Sequence, residues 1–359
     1  MNALSIIAEA LAVFACIATF LPYIRTDQWW VRIFDFPRMQ LLLIVVAAMI
    51  LLITIFDHAS LFDRILIGLL VIAVVVQVWH IFPYTPIARV QVKDARKVGF
   101  PIRLFIANVE QDNPRSSELL QQIEEADPDI VLLSEMDDRW TGEMRSIQHD
   151  LPHTILHPQN NTYGLCLYSR WPLADQEVRS LVDPEIPSIR TRVQLDIGRS
   201  IMLFGVHPRP PGIKDKGRSE RQDSEQRDAE LVLIAREVQD MEEPFIIAGD
   251  FNDVAWSHTT RLFQRTSRAL DPRVGRGFFN SFNAKSHFFR YPLDHLFHSD
   301  HFTLGALERK PFFGSDHFPM YVELNLEHRA DQEQEAPERK ESDRKDEEEM
   351  LDRAAKKER

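Results

Sequence analysis

Apolar residues fall into two regimes along this chain. Within the first 86 positions they form three long runs, at residues 4–24, 39–56 and 65–82. Each approaches the ~20 residues with which an α-helix crosses a hydrocarbon core of about 30 Å. The third contains an uncharged stretch from Ile65 to Val76. Tyr23, Trp29, Trp30, Trp79 and Tyr84 gather at the edges of the runs, where amphipathic rings favour the headgroup layer. Three transmembrane helices are therefore predicted. A cleaved signal peptide fits less well, because the first run lacks a basic leader and two more runs follow it.

From about residue 100 the runs shorten to strand length. Residues 102–107 alternate and are rich in strand formers, while Leu119, Leu120 and Ile123 lie at helical spacing within 116–126. Pro128-Asp129 ends that helix ahead of a short buried strand at 130–133. The same grammar predicts strands at 164–168, 191–197, 201–206, 245–248, 295–297 and 320–324, and a helix over 224–241. Many short strands mixed with helices are compatible with two packed sheets flanked by helices. From Glu327 onward the sequence is almost wholly charged and has no apolar stripe, which predicts a disordered or loosely helical tail rather than a coiled coil. The expected division is a membrane anchor at 1–86, a linker at 87–99, a globular domain at 100–326 and the tail at 327–359.

Charge and cysteine content narrow the class. A net charge of −12 over 359 residues argues against a surface built for nonspecific nucleic-acid binding, while leaving room for a local basic groove. The two cysteines, Cys16 and Cys166, form neither a disulfide framework nor a zinc pattern. Arg25, Arg32 and Arg38 follow the first run and Arg89, Lys93, Arg96 and Lys97 the third, whereas the loop after the second offers only Arg64. The positive-inside rule then predicts a multi-pass protein of a bacterial-type inner membrane with its globular domain in the cytoplasm.

Four polar clusters each end an apolar run: Ser134-Glu135, Gly249-Asp250-Phe251-Asn252, Leu293-Asp294-His295 and Gly314-Ser315-Asp316-His317-Phe318-Pro319. Acids, amides and histidines of this kind suit a hard divalent cation and the cleavage of a phosphate ester. In order and spacing the set resembles the endonuclease/exonuclease/phosphatase superfamily, over residues 100–326. That resemblance implies a four-layer α/β/β/α sandwich and hydrolysis of phosphodiester bonds by in-line attack of water, with Mg²⁺ or alternatively Mn²⁺ as cofactor. It implies Glu135, Asn108 and Asp316 at the metal, and Asp250 as the group that orients and deprotonates the water. Asn252 would donate to the phosphoryl oxygens, His317 would act with Asp294, and His207 would contact the phosphate and the departing oxygen. Glu110 departs from the family pattern, and His295 would point to the opposite face of its strand; neither is placed in the site.

His207-Pro208-Arg209-Pro210 replaces the tyrosine and asparagine of the exonuclease III-like branch and favours the histidine-bearing branches, which include DNase I-like nucleases and sphingomyelinases. The following loop carries Arg209, Lys214, Lys216, Arg218 and Arg221. It suits a phosphodiester backbone, anionic lipid headgroups or plain solvation. Arg190 and Arg192 alternate with Thr191 and are placed to reach the groove. A nuclease is the first expectation, with nucleic acid ahead of lipid headgroups as partner and the bilayer engaged by the N-terminal helices. A lipid-headgroup phosphodiesterase or phosphatase comes second. A non-catalytic phosphate-binding module comes third, disfavoured because Asp250, Asn252 and His317 are all present.

Overall fold

The structure, a computed structural model, describes residues 3–54, 60–96, 99–212, 223–327 and 330–357. Its N-terminal part is a bundle of α1 (Ala3–Phe20), α3 (Arg38–Thr54) and α4 (Leu61–Ile81), with the short α2 (Trp29–Arg32) between the first two. The bundle is built inside out. Ala8, Ala12, Ala15, Ala48 and Ala73 pack in its interior, while Ile7, Leu43, Ile50, Val75 and Trp79 face outward. Small residues that let backbones approach, with large apolar ones outside, are compatible with helices packed in lipid. Leu4–Tyr23 and Leu61–Tyr84 are each long and apolar enough to cross a membrane. The expected middle run forms α3, Arg38–Thr54, which makes with the preceding Trp29–Asp35 a pair bent by 77°, a third candidate span if the pair is taken as one. Pro37 stands at the break, where its ring prevents one helix from running through.

The remainder is a sandwich. Its elements in order are β1 (Phe100–Asn108), α5 (Ser116–Ala126), β2 (Ile130–Ser134), α6 (Asp138–Glu143), β3 (His153–His157), β4 (Leu165–Ser169), β5 (Leu173–Arg179), β6 (Ser188–Gln194), β7 (Ser200–Val206), α7 (Glu225–Val238), β8 (Phe245–Asp250), α8 (His258–Ser267), β9 (Asp294–His298), β10 (Phe302–Arg309), β11 (Met320–Leu326), α9 (Ala330–Glu333) and α10 (Glu341–Lys357). One sheet has the order β10-β11-β1-β2-β4-β3 and the other β5-β6-β7-β8-β9. Leu104, Ile106, Leu132 and Leu167 of the first meet Ile189, Leu203, Ile246 and Leu296 of the second between the sheets. The alternate residues face outward under helices. Phe105 and Val131 pack below Leu119, Ile123 and Trp140, and Phe204, Ile247 and Phe297 below Leu231, Ile234 and Phe263. Strands buried on both faces read as continuous apolar runs, and the result is the expected four-layer α/β/β/α sandwich.

The bundle is joined to the sandwich by specific polar contacts. Trp256 Nε1 donates to the Asp35 carbonyl at 2.7 Å, Tyr84 Oη to the Ala255 carbonyl at 2.9 Å and Arg32 Nη2 to Thr259 Oγ1 at 2.9 Å. Two sequence expectations need correction. The strand placed at 191–197 is β6 at Ser188–Gln194, because a turn through Gly198 (φ 70°) starts earlier. The charged tail is not disordered where described: α10 docks on α7 and α8. Its fully buried Glu347 accepts from Arg236 Nε at 2.7 Å and Thr266 Oγ1 at 2.7 Å, and Met350 packs on Val232 and Leu262. Ion pairs, not an apolar stripe, hold this helix.

Candidate active site

Strand direction gathers the polar clusters at one end of the sandwich. β1 runs parallel to β2, and β7 to β8. Their C-terminal ends therefore bring Asn108, Glu135, His207 and Asp250 to a common edge. β9 and β11 run antiparallel to β8 and β1, so their N-terminal ends deliver Asp294 and His317 to the same place. Local backbone geometry tightens the convergence. Glu135 (φ 62°) and Asn252 (φ 52°) adopt left-handed conformations that turn the chain sharply at the strand ends. A Cβ on Gly249 would lie 2.0 Å from the Val206 carbonyl oxygen, so only glycine lets β8 approach β7 just before Asp250.

Asn108 Nδ2 donates to Glu135 Oε1 at 2.9 Å and to Asp250 Oδ2 at 3.1 Å, joining the two sheets. The Gln111 backbone N–H donates to Glu135 Oε2 at 3.2 Å. Asp250 is held a second time by the Asn252 N–H at 2.9 Å, while Asn252 Nδ2 donates to the Pro208 carbonyl at 3.0 Å. His317 Nδ1 lies 2.7 Å from Asp294 Oδ2, and its Nε2 is 3.5 Å from Asp250 Oδ2. His207 Nε2 lies 3.8 Å from the same Asp250 oxygen. The Asp316 backbone N–H is fixed by Glu110 Oε2 at 3.0 Å, and its side chain lines the cleft. Seven of the eight residues singled out in the sequence thus line one cleft, and Asp294 lies buried behind His317. His295 lies elsewhere, with Nδ1 2.7 Å from Arg273 Nη2 and Nε2 2.8 Å from the Asp253 carbonyl.

The electrostatics assign the protons. Burial pushes His317 down, but Asp294 and Asp250 outweigh it and hold the imidazole up at about 10. His207 has the opposite fate: burial, reinforced by the charge on His317, lowers it to about 4 and keeps it neutral. Burial raises Asp250 to about 7 against the pull of His317, which poises it to take a proton near neutral pH. Burial also raises Glu135 and Asp316.

Among the described residues, side-chain atoms of Asp250, Asp294 and His317 lie within 4.8 Å of one another, close enough for a metal cage. Asp294 Oδ2 is already paired with His317 Nδ1 at 2.7 Å, so we read this group as a hydrogen-bonded His–Asp pair beside Asp250. The oxygen set of Glu135, Asn108 and Asp316 fits a divalent ion better. Glu135 accepts only from neutral donors, and its carboxylate opens onto the cleft. Hard oxygen ligands beside an open face are what Mg²⁺ or Mn²⁺ takes.

The cleft encloses about 700 Å³ and is also lined by Gln111, Tyr163, Arg209, Phe36 and Phe282. Arg209 is buried and donates to Asp183 Oδ2 at 2.8 Å, stacked over the Tyr163 ring. Lys214, Lys216, Arg218 and Arg221 lie outside the described residues. Arg190 and Arg192 do not reach the groove. They bind Glu237 (2.8 Å) and Asp175 (3.1 Å), respectively, away from the site. Two contributors escaped the sequence reading. Ser315 Oγ donates to the Asn108 carbonyl at 2.8 Å and accepts the His317 N–H at 3.0 Å, so it locks one cluster onto another; its signal was its place inside Gly-Ser-Asp-His. Phe36 comes from the membrane-run region, and nothing in the sequence linked it to the cleft.

The sequence profile of the Endonuclease/Exonuclease/phosphatase family matches residues 102–317. Among solved structures, an endonuclease/exonuclease/phosphatase from Bacteroides vulgatus is similar at 17% identity and a TM-score of 0.50, covering 64% of this chain and 100% of that one. A humanized D. rerio TDP2 is similar at 15% identity and a TM-score of 0.50, covering 63% and 99%. No curated protein matches the chain.

Proposed function

This chain belongs to the endonuclease/exonuclease/phosphatase family, and from that premise we propose that it is a divalent-metal-dependent phosphoesterase held at a membrane by its N-terminal helices. The observation that carries the reading is the position of Asp250. Its Oδ2 is shared by Asn108 at 3.1 Å and faces His317 at 3.5 Å. One carboxylate thereby meets the neutral amide beside the metal ligand and the cation beside the reacting phosphate. Asp250 orients the attacking water and accepts its proton. His317, charged and fixed by Asp294, stabilises negative charge gathering on the phosphoryl oxygens. Neutral His207 stands on the other side of Asp250, able to donate to or accept from the departing oxygen. Glu135, with Asn108 and Asp316, would hold the metal, which supplies Lewis-acid stabilisation of the same charge.

The sequence put nucleic acid first as substrate, and one observation favours the lipid reading. Arg209 is the only lysine or arginine on the cleft wall among the described residues, and it is paired with Asp183, while Asp112 and Glu185 line the same cleft. Here an apolar ring, Phe36, comes from the segment between the hydrophobic helices. The basic residues flanking those helices support a cytoplasmic site. The test is turnover by the full-length protein in nanodiscs, with and without Mg²⁺, against a phosphodiester ester, single-stranded DNA and lipid phosphodiesters, with His317→Ala as the blank. Metal-dependent cleavage lost in the variant supports the proposal; equal turnover by the variant sinks it.

A further inference from the structure

Beside the catalytic cleft lies a second cavity of about 530 Å³ whose lining is almost wholly apolar. Ile33, Phe34 and Pro37 form one wall and Phe289 and Tyr291 the other. Phe36 and Phe282 border both this cavity and the catalytic cleft, so the two adjoin across these rings. Phe282 also packs against the catalytic imidazole, its ring centroid 5.0 Å from that of His317. A single extended molecule passing over the edge of the Phe36 and Phe282 rings would place a phosphate at His317 and a hydrocarbon chain in the neighbouring groove.

The place of the groove in the chain says where such a molecule comes from. Its first wall is the segment Trp29–Asp35, which directly precedes α3 and is bent from it by 77°. If α3 stands along the bilayer normal, that segment lies nearly in the plane of the surface, as interfacial helices do. The rim is apolar and open: Ile33 is 52% exposed, Phe288 58% and Phe289 55%. Exposed aromatics at this level belong among headgroups and upper acyl chains. The segment is also fixed to the catalytic domain, since Trp256 donates to the Asp35 carbonyl and Arg32 to Thr259.

We propose that the groove receives the hydrocarbon chain of a membrane phosphoester, so that the substrate is an amphiphile drawn from the bilayer with its phosphate at Asp250 and His317. The inference rests on the phosphoesterase reading and names its substrate class. Water adds to phosphorus, one P–O ester bond breaks, and the leaving oxygen takes a proton. The chain-bearing product stays in the groove until it returns to the membrane.

The test uses the full-length protein in nanodiscs, with Mg²⁺ and two p-nitrophenyl phosphodiesters that differ only in carrying a methyl or an octyl group. The octyl ester is expected to have a kcat/KM at least about tenfold higher, mainly through KM, because the longer chain is buried in the groove. Phe289→Glu is expected to erase that advantage and leave methyl-ester turnover unchanged, which separates groove binding from simple partitioning into lipid. Should Phe289→Glu lose both activities, Ile33→Asn on the opposite wall takes its place. Equal kcat/KM for the two esters, or an octyl advantage that survives both variants, overturns the groove. So does cleavage of a single-stranded oligonucleotide with a higher kcat/KM that Phe289→Glu leaves untouched. If neither ester is cleaved with Mg²⁺ or Mn²⁺, the phosphoesterase reading fails, and calorimetry with octyl and methyl phosphate decides the groove: tighter octyl binding lost in Phe289→Glu upholds it, and equal binding overturns it.

Discussion

Asn108 Nδ2 donates to Asp250 Oδ2 at 3.1 Å, and this bond crosses from one sheet of the sandwich to the other. Asn108 ends β1, Asp250 ends β8, and β1 and β8 touch at this edge. The carboxylate proposed to activate water is thus positioned by the packing of two sheets and not by a loop. Replacing Asp250 by Asn keeps the shape and removes the base. We expect Asp250→Asn to lower kcat by about 10²–10⁴-fold with an unchanged melting temperature or a higher one, since burial disfavours the charged form of this group. Steady-state kinetics beside a thermal melt checks both halves, and near-normal turnover excludes Asp250 as the base.

In the proposed mechanism Asp294 acts on the substrate only through His317. Its Oδ2 lies 2.7 Å from Nδ1, and the pair with Asp250 keeps the ring charged. Asp294→Asn and His317→Ala should each reduce kcat/KM by about 10²-fold or more. The double variant should be no slower than His317→Ala alone, because the first substitution has nothing left to orient. Additive losses would show that Asp294 has a separate role.

Glu135 tests the metal. Its carboxylate accepts from Asn108 and from the Gln111 N–H, and neither donor is charged. Glu135→Gln keeps the shape of the side chain and removes the anion. The Mg²⁺ concentration for half-maximal activity should rise at least about tenfold, and Mn²⁺ binding followed by calorimetry should weaken in parallel. An unchanged titration would move the metal away from Glu135.

What the sequence disclosed and what it hid divide along one physical line. Asp250 was legible because it ends an apolar run, and Asp294 and His317 because they stand where one begins; buried strands announce both their ends. β5 was not legible: its Leu-Ala-Asp-Gln-Glu-Val-Arg lies at a sheet edge, half exposed, with no face to mark. Alternation put Arg190 and Arg192 on one face of β6, yet it could not say which face, and Glu237 and Asp175 claim them. Phe36 was invisible because its partners in the cleft are far away in sequence. The resemblance supplied the layer order, which periodicity alone does not contain.

Glu230 on α7 offers a pH signature away from the site. Burial, with Asp183 nearby, raises its carboxyl from 4.5 to about 8, against the pull of Arg179. Below pH 4.5 both folded and unfolded forms are protonated, so no penalty exists. Between pH 4.5 and 8 the unfolded chain ionises and the native one resists, so stability falls by up to about 1.4 kcal/mol per pH unit. Glu230→Gln should match wild type near pH 4.5 and exceed it increasingly up to pH 8. Urea midpoints at the two ends of that window decide; a constant difference would mean that Glu230 ionises freely in the fold.

Glu347 carries the docking of the C-terminal helix. It is fully buried and accepts from Arg236, Arg339 and Thr266. Removing one partner of a buried pair leaves the others uncompensated, at about 3–5 kcal/mol when all are buried. Arg236 and Arg339 remain 32% and 22% exposed, so water softens the loss to about 2 kcal/mol. Glu347→Ala should therefore release α10 without touching the cleft, which lies at the edge where β1 and β8 end. Hydrogen exchange over residues 341–357 should rise sharply while phosphoester turnover per folded molecule stays at the wild-type level. Protection unchanged in the variant would mean that Met350 and the remaining ion pairs hold the helix alone. Lost turnover would mean that this helix, read from sequence as a disordered or loosely helical tail, supports the active site through α7.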